Sequence, residues 1–578
     1  MLINGVPLNS LPLNAVGGSS GSGPEPVEPP SGVIWTCQVV LSGVDMTAQL
    51  TGSVRVEREE GAAAIAEFSL YLPSVGVDVV GWKGRPVDIY YLELSEGGWD
   101  IEQRFSGWLE QPTYDPRNRI VSCEATDRLQ DLVEAMEIAD IDALVGGLWT
   151  EDVFEPVAGR SRWEYAQERL GTIAASLDRS LSGELRVTPW AATAPAKVFG
   201  PGSTIDQSLS VELGKLSELV NRVELSISYR FTRLRERHQE YDWQHPDIQG
   251  TSIDASFCIW RHESSEVPST EMIKDALNSA GYHFLNGAEL LALPPTGIYC
   301  TPPQAWINNF DNLLLAASFT GGMRWGQSIT ETYTLSVEAP ASIAQAGEVL
   351  RRDGASLESE LDRAKDWESA DFGGPDSDAE QDDLEDWVID LREDDRLTQS
   401  VQCQLATATV SILQAHRANR VSWQVPTSMA RVIDLVDTLQ LGDRCQARGK
   451  VFSVIDEWSL ESQTAITTLT LAISRGGGVV MDPHDLPAPP DTQPTGSVPS
   501  LIQLGSQIRG KNPLLVYDDT LDGFAGNYDN PAPGTPPEEF PRRFQLTAPE
   551  VPATHRDEFT AERAATYRVA IPNDLLEL

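Results

Sequence analysis

Chemical groupings are sparse in this chain of 578 residues. Its six cysteines, Cys37, Cys123, Cys258, Cys300, Cys403 and Cys445, are scattered. No CxxC and no Cys/His cluster occurs, so zinc and iron–sulfur sites lack their usual spacing. Cys37, Cys123, Cys403 and Cys445 fall in expected strands, where a thiol acts as a small apolar group, as suits a protein made in a reducing cytoplasm. Basic residues are in deficit. There are 43 Lys and Arg against 86 Asp and Glu, a net charge of −43 and a pI near 4.4. Such a surface repels nucleic acid at long range and argues against DNA binding. It fits a surface past which nucleic acid slides without sticking, and equally a simple need for solubility. Long apolar runs are missing, so no segment reads as a membrane span. The start, MLINGVPLNSLPLNAVGG, lacks the basic residues and apolar core of a signal peptide.

Catalytic motifs are missing too. No GxSxG, P-loop or GxGxxG stands in a usable context. GGGVVMD follows a strand but runs into proline rather than a helix, so it cannot cradle a phosphate. The best metal-like cluster is His238 and His245 with Asp242 and Asp247, in RHQEYDWQHPD. His262-Glu263 with Glu266 is a second, but it is not HExxH. Among 86 carboxylates an acid near a histidine is expected by chance. The reading is therefore no catalytic, cofactor-binding or metal-binding residue, no cofactor, and no enzyme.

What the chain has is β-structure punctuated by turns. Its length calls for several domains. In Gly81 to Leu129 the β-formers fall in runs, Val87 to Leu94, Ile101 to Leu109 and Arg119 to Ala125. Glu96-Gly97-Gly98 and the polar stretch from Gln111-Pro112 to Asn118 separate them, which predicts antiparallel hairpins. A reduced version returns over Leu439 to Arg475, with Gly442-Asp443 standing for Gly84-Arg85 and Trp458 for Trp108. This suggests an internal repeat. Three such chains around an axis would offer six quasi-equivalent units.

The expected class is mainly β with α+β insertions: two small antiparallel β-barrels, an α/β unit and extended arms. Residues 1–32 read as an arm and linker, with PLN at Pro7-Leu8-Asn9 and again at Pro12-Leu13-Asn14. Residues 33–140 read as the first barrel. Residues 141–215 read as an α/β unit, with a helix through Trp163, Ala166, Leu170, Ile173 and Leu177 and a cap at Ser161 with Glu164. Residues 216–350 supply strands of the second barrel plus an insertion. Val223, Leu225, Ile227, Tyr229 and Phe231 alternate there with polar residues. Arg233, Arg235 and Arg237 follow, and are expected to meet carboxylates rather than phosphates. Residues 351–400 form an acidic block, with GGPDSDAEQDD as loop and Leu384, Trp387, Val388 and Leu391 as a short helix. Residues 401–478 read as the second barrel. Residues 479–578 read as a Pro-rich arm whose separated anchors, Leu514 to Tyr517 and Tyr567 to Ile571, dock on another surface because they are too few for a core.

One family resemblance emerges. Phe105-Ser106-Gly107-Trp108-Leu109 and Val121-Ser122-Cys123-Glu124-Ala125-Thr126-Asp127-Arg128-Leu129 resemble paired strands of the hub domain of bacteriophage tail baseplate proteins. Asn221 to Leu225 and Leu441-Gly442-Asp443 are similar to that family's second barrel. INGVPLNSLPLNA resembles the start of tail proteins from siphophages related to transposable phages. The resemblance covers roughly 33–240 and 420–478. It implies a homotrimer at the distal end of a tail tube, in the virion after assembly in the host cytoplasm. That ring would match a six-fold tube or distal tail protein to a three-fold tip, anchor fibres or central tip proteins, and pass tape measure and DNA through its lumen. Two alternatives are a receptor- or carbohydrate-binding tail tip protein with exposed tryptophans, and a hub carrying a cell-wall hydrolase.

Overall fold

A computed structural model describes residues 2–3, 6–7, 27, 32–73, 78–246, 248–249, 252–253, 267–292, 296–297, 304–305, 312–358, 370–372, 379–493, 499–508, 517–526 and 542–578. The PLN repeats beyond Pro7, the linker, Asp247, His262, Glu263, Glu266, Cys258, Cys300, Leu514 to Val516 and the start of the GGPDSDAEQDD stretch lie outside these residues. The chain is mainly β.

Six strands open the fold: β1 (Trp35–Leu41), β2 (Leu50–Glu59), β3 (Ile65–Tyr71), β4 (Pro86–Ser95), β5 (Gly98–Asp115) and β6 (Ile120–Thr126). They pair antiparallel in the order β2-β3-β6-β5-β4-β1. Alternate residues (Cys37, Val39, Val54, Val56, Phe68, Leu70, Val87, Ile89) turn inward to one core, as the period of a half-buried strand requires. Gln111-Pro112 is not a turn. A register shift between Leu109 and Gln111 lets β5 run on, with Pro112 opposite Cys123. Proline is tolerated at such an irregularity. The chain reverses after Asp115, whose Oδ1 accepts from the backbone N–H of Arg117 at 2.9 Å.

A small α/β unit follows, with α1 (Leu129–Glu134), α2 (Ile138–Val145), α3 (Arg162–Leu170) and a hairpin of β7 (Ala175–Arg179) and β8 (Leu185–Pro189). The Ser161 hydroxyl accepts from the Glu164 backbone N–H, as the cap signal implies. The helix is shorter than its spacing suggests. It stops at Leu170 before Gly171, and Leu177 belongs to β7 while facing the same core.

Next come β9 (Arg222–Gln244), α4 (Thr270–Ser279), β10 (His283–Ala292), β11 (Leu314–Glu338), β12 (Leu350–Glu358), β13 (Trp387–Leu391) and α5 (Asp394–Ala415). Here the expectation of strands completing a second barrel is corrected. β9 and β11 pair with each other from Arg222↔Glu338 to Gln244↔Ala316 and build a separate eight-stranded sheet. Two long strands with matched alternation satisfy one another, and α5 covers their apolar face with Leu397, Val401, Leu405, Ala408 and Ile412. That 4, 4, 3, 4 spacing is helical, so Cys403 sits in a helix and not a strand. Trp387 to Leu391, expected as a helix, is a strand paired with Thr232 to Glu236 of β9.

The remaining strands of the first sheet are β14 (Asn419–Pro426), β15 (Thr438–Gly442), β16 (Gln446–Ser459) and β17 (Thr464–Ile473). Gly442 ends β15 rather than opening a strand. β16 pairs with β17 on one side and with β2 on the other, from Ser453↔Glu59 to Ser459↔Ser53. The two expected β-domains are thus joined in one fourteen-stranded sheet, each part with a core of its own. Trp458, fully buried, packs in the core of the opposite half.

Of the two anchors expected on the C-terminal segment, Tyr567 to Ile571 packs on this chain, and Leu514 to Val516 lie outside the described residues. β18 (Leu501–Leu504) runs parallel to β9, β19 (Phe559–Arg568) runs parallel to β11, and β20 (Leu576–Glu577) pairs with β16. Tyr567, Val569 and Ile571 enter the core under α5. Residues 506–508, 523–526 and 543–545 make a small sheet of their own, with Phe524 and Phe544 buried against Trp243 of β9.

Candidate functional site

Charges buried between elements are the most distinctive feature of this molecule. Arg233, Arg235 and Arg237 recur every second residue of β9, so they share one face. All three are buried. Arg233 forks onto Asp390 (2.6 and 2.9 Å) and Arg237 onto Asp386 (2.7 and 2.9 Å). Arg235 meets Asp382 and donates to Gln327 Oε1 at 2.9 Å. The carboxylates come from the acidic block: Asp382 and Asp386 are buried and flank a turn packed under the arginines, and Asp390 follows on β13. His555, from the C-terminal segment, sits with Nδ1 3.3 Å from Asp386 Oδ2. Burial pulls its imidazole below the usual range. Each arginine of this patch is thus paired with a carboxylate of the same chain.

On the other face of β9, fully buried Glu236 receives Arg324 Nε at 2.8 Å and lies 3.3 Å from Nε2 of both His238 and His283. Burial opposes its ionisation, but His238 and Arg324 outweigh that and hold the carboxyl below its ordinary value. The described members of the metal-like cluster are not brought together. His238 and Asp242 share a face but stand four strand residues, roughly 13 Å, apart, and Asp242 accepts from Gln503. His245 is buried on the opposite side beside Trp243. Among the described residues no group of three His, Cys, Asp or Glu is placed to hold a metal ion.

The two halves of the large sheet are joined in the same way. Arg104 on β5 forks onto Asp456 on β16 at 2.8 and 3.1 Å, and both side chains have no exposure. Thr467 donates to Asp456 at 2.6 Å. Asp434 bridges Arg58 of β2 at 2.8 Å and Arg186 of β8 at 2.7 Å, tying both halves to the α/β unit. Burial works against the Asp434 charge, yet Arg186 and Arg58 hold its carboxyl below the usual range. Lys450 on β16 reaches Glu60 at 3.2 Å, which also meets Arg417. Sequence reading passed over these pairs. The available signal was Arg58, which continues Val54 and Val56 on the inward face where a third apolar residue belongs.

The motifs behind the family resemblance take neighbouring positions. Phe105 and Leu109 on β5 and Val121, Cys123 and Ala125 on β6 are buried in one core. Asp127 turns the strand into α1, accepting from the Leu129 N–H at 3.1 Å. Gly107 is required by close approach, since a Cβ there would lie 2.4 Å from the Thr126 carbonyl oxygen. Gly449 in the second half has the same relation to Ala472, also at 2.4 Å. These glycines align the halves better than the tryptophans do. Trp108 lies half-buried beneath Arg128 and Arg179, unlike Trp458.

No protein-family model and no curated protein matches the chain. Solved structures do. The tail protein from Neisseria meningitidis MC58 is similar at 8% identity, over 76% of this chain and 96% of its own, with a TM-score of 0.35. The 43 kDa tail protein of prophage MuSo2 from Shewanella oneidensis is similar at 8% identity, over 75% and 98%, with a TM-score of 0.36. A prophage tail protein from Listeria monocytogenes EGD-e follows at 8% identity, over 75% and 94%, with a TM-score of 0.31. These structural neighbours are tail proteins, two of them from prophages.

Proposed function

We propose that this chain is a structural hub of a phage tail: three copies form a ring at the distal end of the tail tube, in the virion. The ring adapts six-fold to three-fold symmetry, holds fibres or central tip proteins, and leaves a lumen for tape measure and DNA. The observation that carries this reading is the fusion of two related β-halves into one ladder through β2 and β16, clamped by the buried Arg104–Asp456 pair. A ring of three such chains offers six similar faces, and the rigid joint keeps the two faces of each chain in register. The motifs Phe105 to Leu109 and Val121 to Leu129 support the family assignment.

The role is mechanical rather than catalytic. The tryptophans that a sugar-binding reading needs on the surface are partly withdrawn: Trp423 and Trp458 are fully buried. The high negative charge suits a lumen that DNA must traverse without adhering. The test is the solution mass by light scattering over a range of concentrations. A mass near three times 63.2 kDa supports the ring. A chain that stays monomeric, alone and with tail tube protein added, overturns it.

A further inference from the structure

A cleft of about 180 Å³ opens between β12, α5 and the chain at Phe154. Val223, Leu225 and Ala408 form apolar walls. Gln404 of α5 lines it, only 7% exposed, and its Nε2 has no hydrogen-bond partner. A buried donor left unmade is costly, so its presence in an apolar cleft asks for an acceptor from outside. At the rim Arg351 and Asp353 lie 3.5 Å apart and offset each other, which favours a neutral group.

The cleft also borders a sheet edge. β12 pairs with β9, and among the described residues no strand covers its outer side. Arg351 stands opposite Val223, and Asp353 opposite Leu225, so these residues share the face turned toward α5. A strand added beyond β12 would present every second side chain to that same face.

We propose that this cleft receives an extended peptide segment of another protein. The segment adds to the outer edge of β12 and lowers one compact, uncharged side chain bearing an acceptor oxygen, of the threonine kind, onto Gln404 Nε2. Backbone hydrogen bonds along the edge give affinity, and the Gln404 donor selects the side chain. This inference is independent of the hub reading, since it requires neither a ring nor a tail.

The test uses the full-length chain and two end-blocked, fluorescein-labelled heptapeptides of alternating β-formers. They differ only in threonine or valine at the centre, and binding is read by fluorescence anisotropy. The threonine peptide is expected to bind about fivefold more tightly, the worth of one net hydrogen bond. Gln404→Leu should erase that preference and raise the melting temperature of the free protein, because it removes an unmet donor. Ser411→Phe, which fills the mouth, should abolish binding of both peptides. Equal affinities, no binding, binding that survives S411F, or a lower melting temperature in Q404L would each overturn the proposal.

Discussion

At Arg104 and Asp456 two opposite charges are wholly withdrawn from water and bound to each other by two hydrogen bonds. Such a pair adds little net stability, because desolvation consumes most of the attraction, but removing one partner strands the other. Arg104→Ala should therefore cost about 3–5 kcal/mol in denaturant unfolding. Arg104→Met combined with Asp456→Leu should recover most of that loss. If the double variant is no better than the single, the pair's hydrogen bonds to the Arg431 carbonyl and to Thr467 hold the joint instead. Asp434 permits a test by pH. Its carboxyl is held below the ordinary value of 3.8. A depressed folded value means that stability is fully present above pH 3.8 and is lost as the pH falls through that lower folded value. Thermal melts of wild type and Asp434→Asn from pH 7 downward should show a gap that is constant to about pH 5 and then closes in acid. A gap that is unchanged at pH 3 would show that the Asp434 charge is not what Arg58 and Arg186 need.

Strand β19 shows what an element does when its partner is remote in sequence. It lies against Ile329 to Glu338 of β11, and Tyr567, Val569 and Ile571 close the core beneath α5. Burying side chains of this size is worth about 1.5–3 kcal/mol each. A chain ending at Glu550 should therefore lose more than about 4 kcal/mol, melt earlier and bind an apolar dye. A truncated chain that melts like the full one would mean that the segment merely rests on the sheet. Nothing local in the sequence announces this pairing. Tyr567-Arg568-Val569-Ala570-Ile571 alternates as a strand does, but alternation names no partner. The same limit explains the acidic block. Arg233, Arg235 and Arg237 were legible as one face of a strand with a need for carboxylates. That Asp382, Asp386 and Asp390 supply them was not, because about 150 residues intervene. β4, β5 and β6 were legible because turn residues bound them and their neighbours in sequence are their partners. Helix α5 was missed because Thr407, Thr409 and Val410 are β-branched residues, and its apolar spacing only decides the matter once a sheet is there to be covered.

For the whole molecule, charge would set the condition for the proposed assembly. Each chain carries −43, so a ring of three carries −129, three times as much. Many of the arginines are already used inside the chain, at Asp382, Asp386, Asp390, Asp434 and Asp456. These buried pairs are neutral, so the net charge of −43 stays on the outer surface, and like surfaces repel until they are screened. The Debye length falls from about 30 Å at 0.01 M salt to about 8 Å at 0.15 M. If three copies close a ring through apolar and backbone contacts, the weight-average mass should therefore rise with salt, from near one chain at 0.01 M toward three at 0.3 M. The decisive comparison is the sign of that dependence. A ring held by ion pairs between chains would loosen as salt is added. A mass that does not respond to salt at all would mean that the subunit faces are neutral patches set into an acidic shell, with the charge reserved for the lumen and the outer rim.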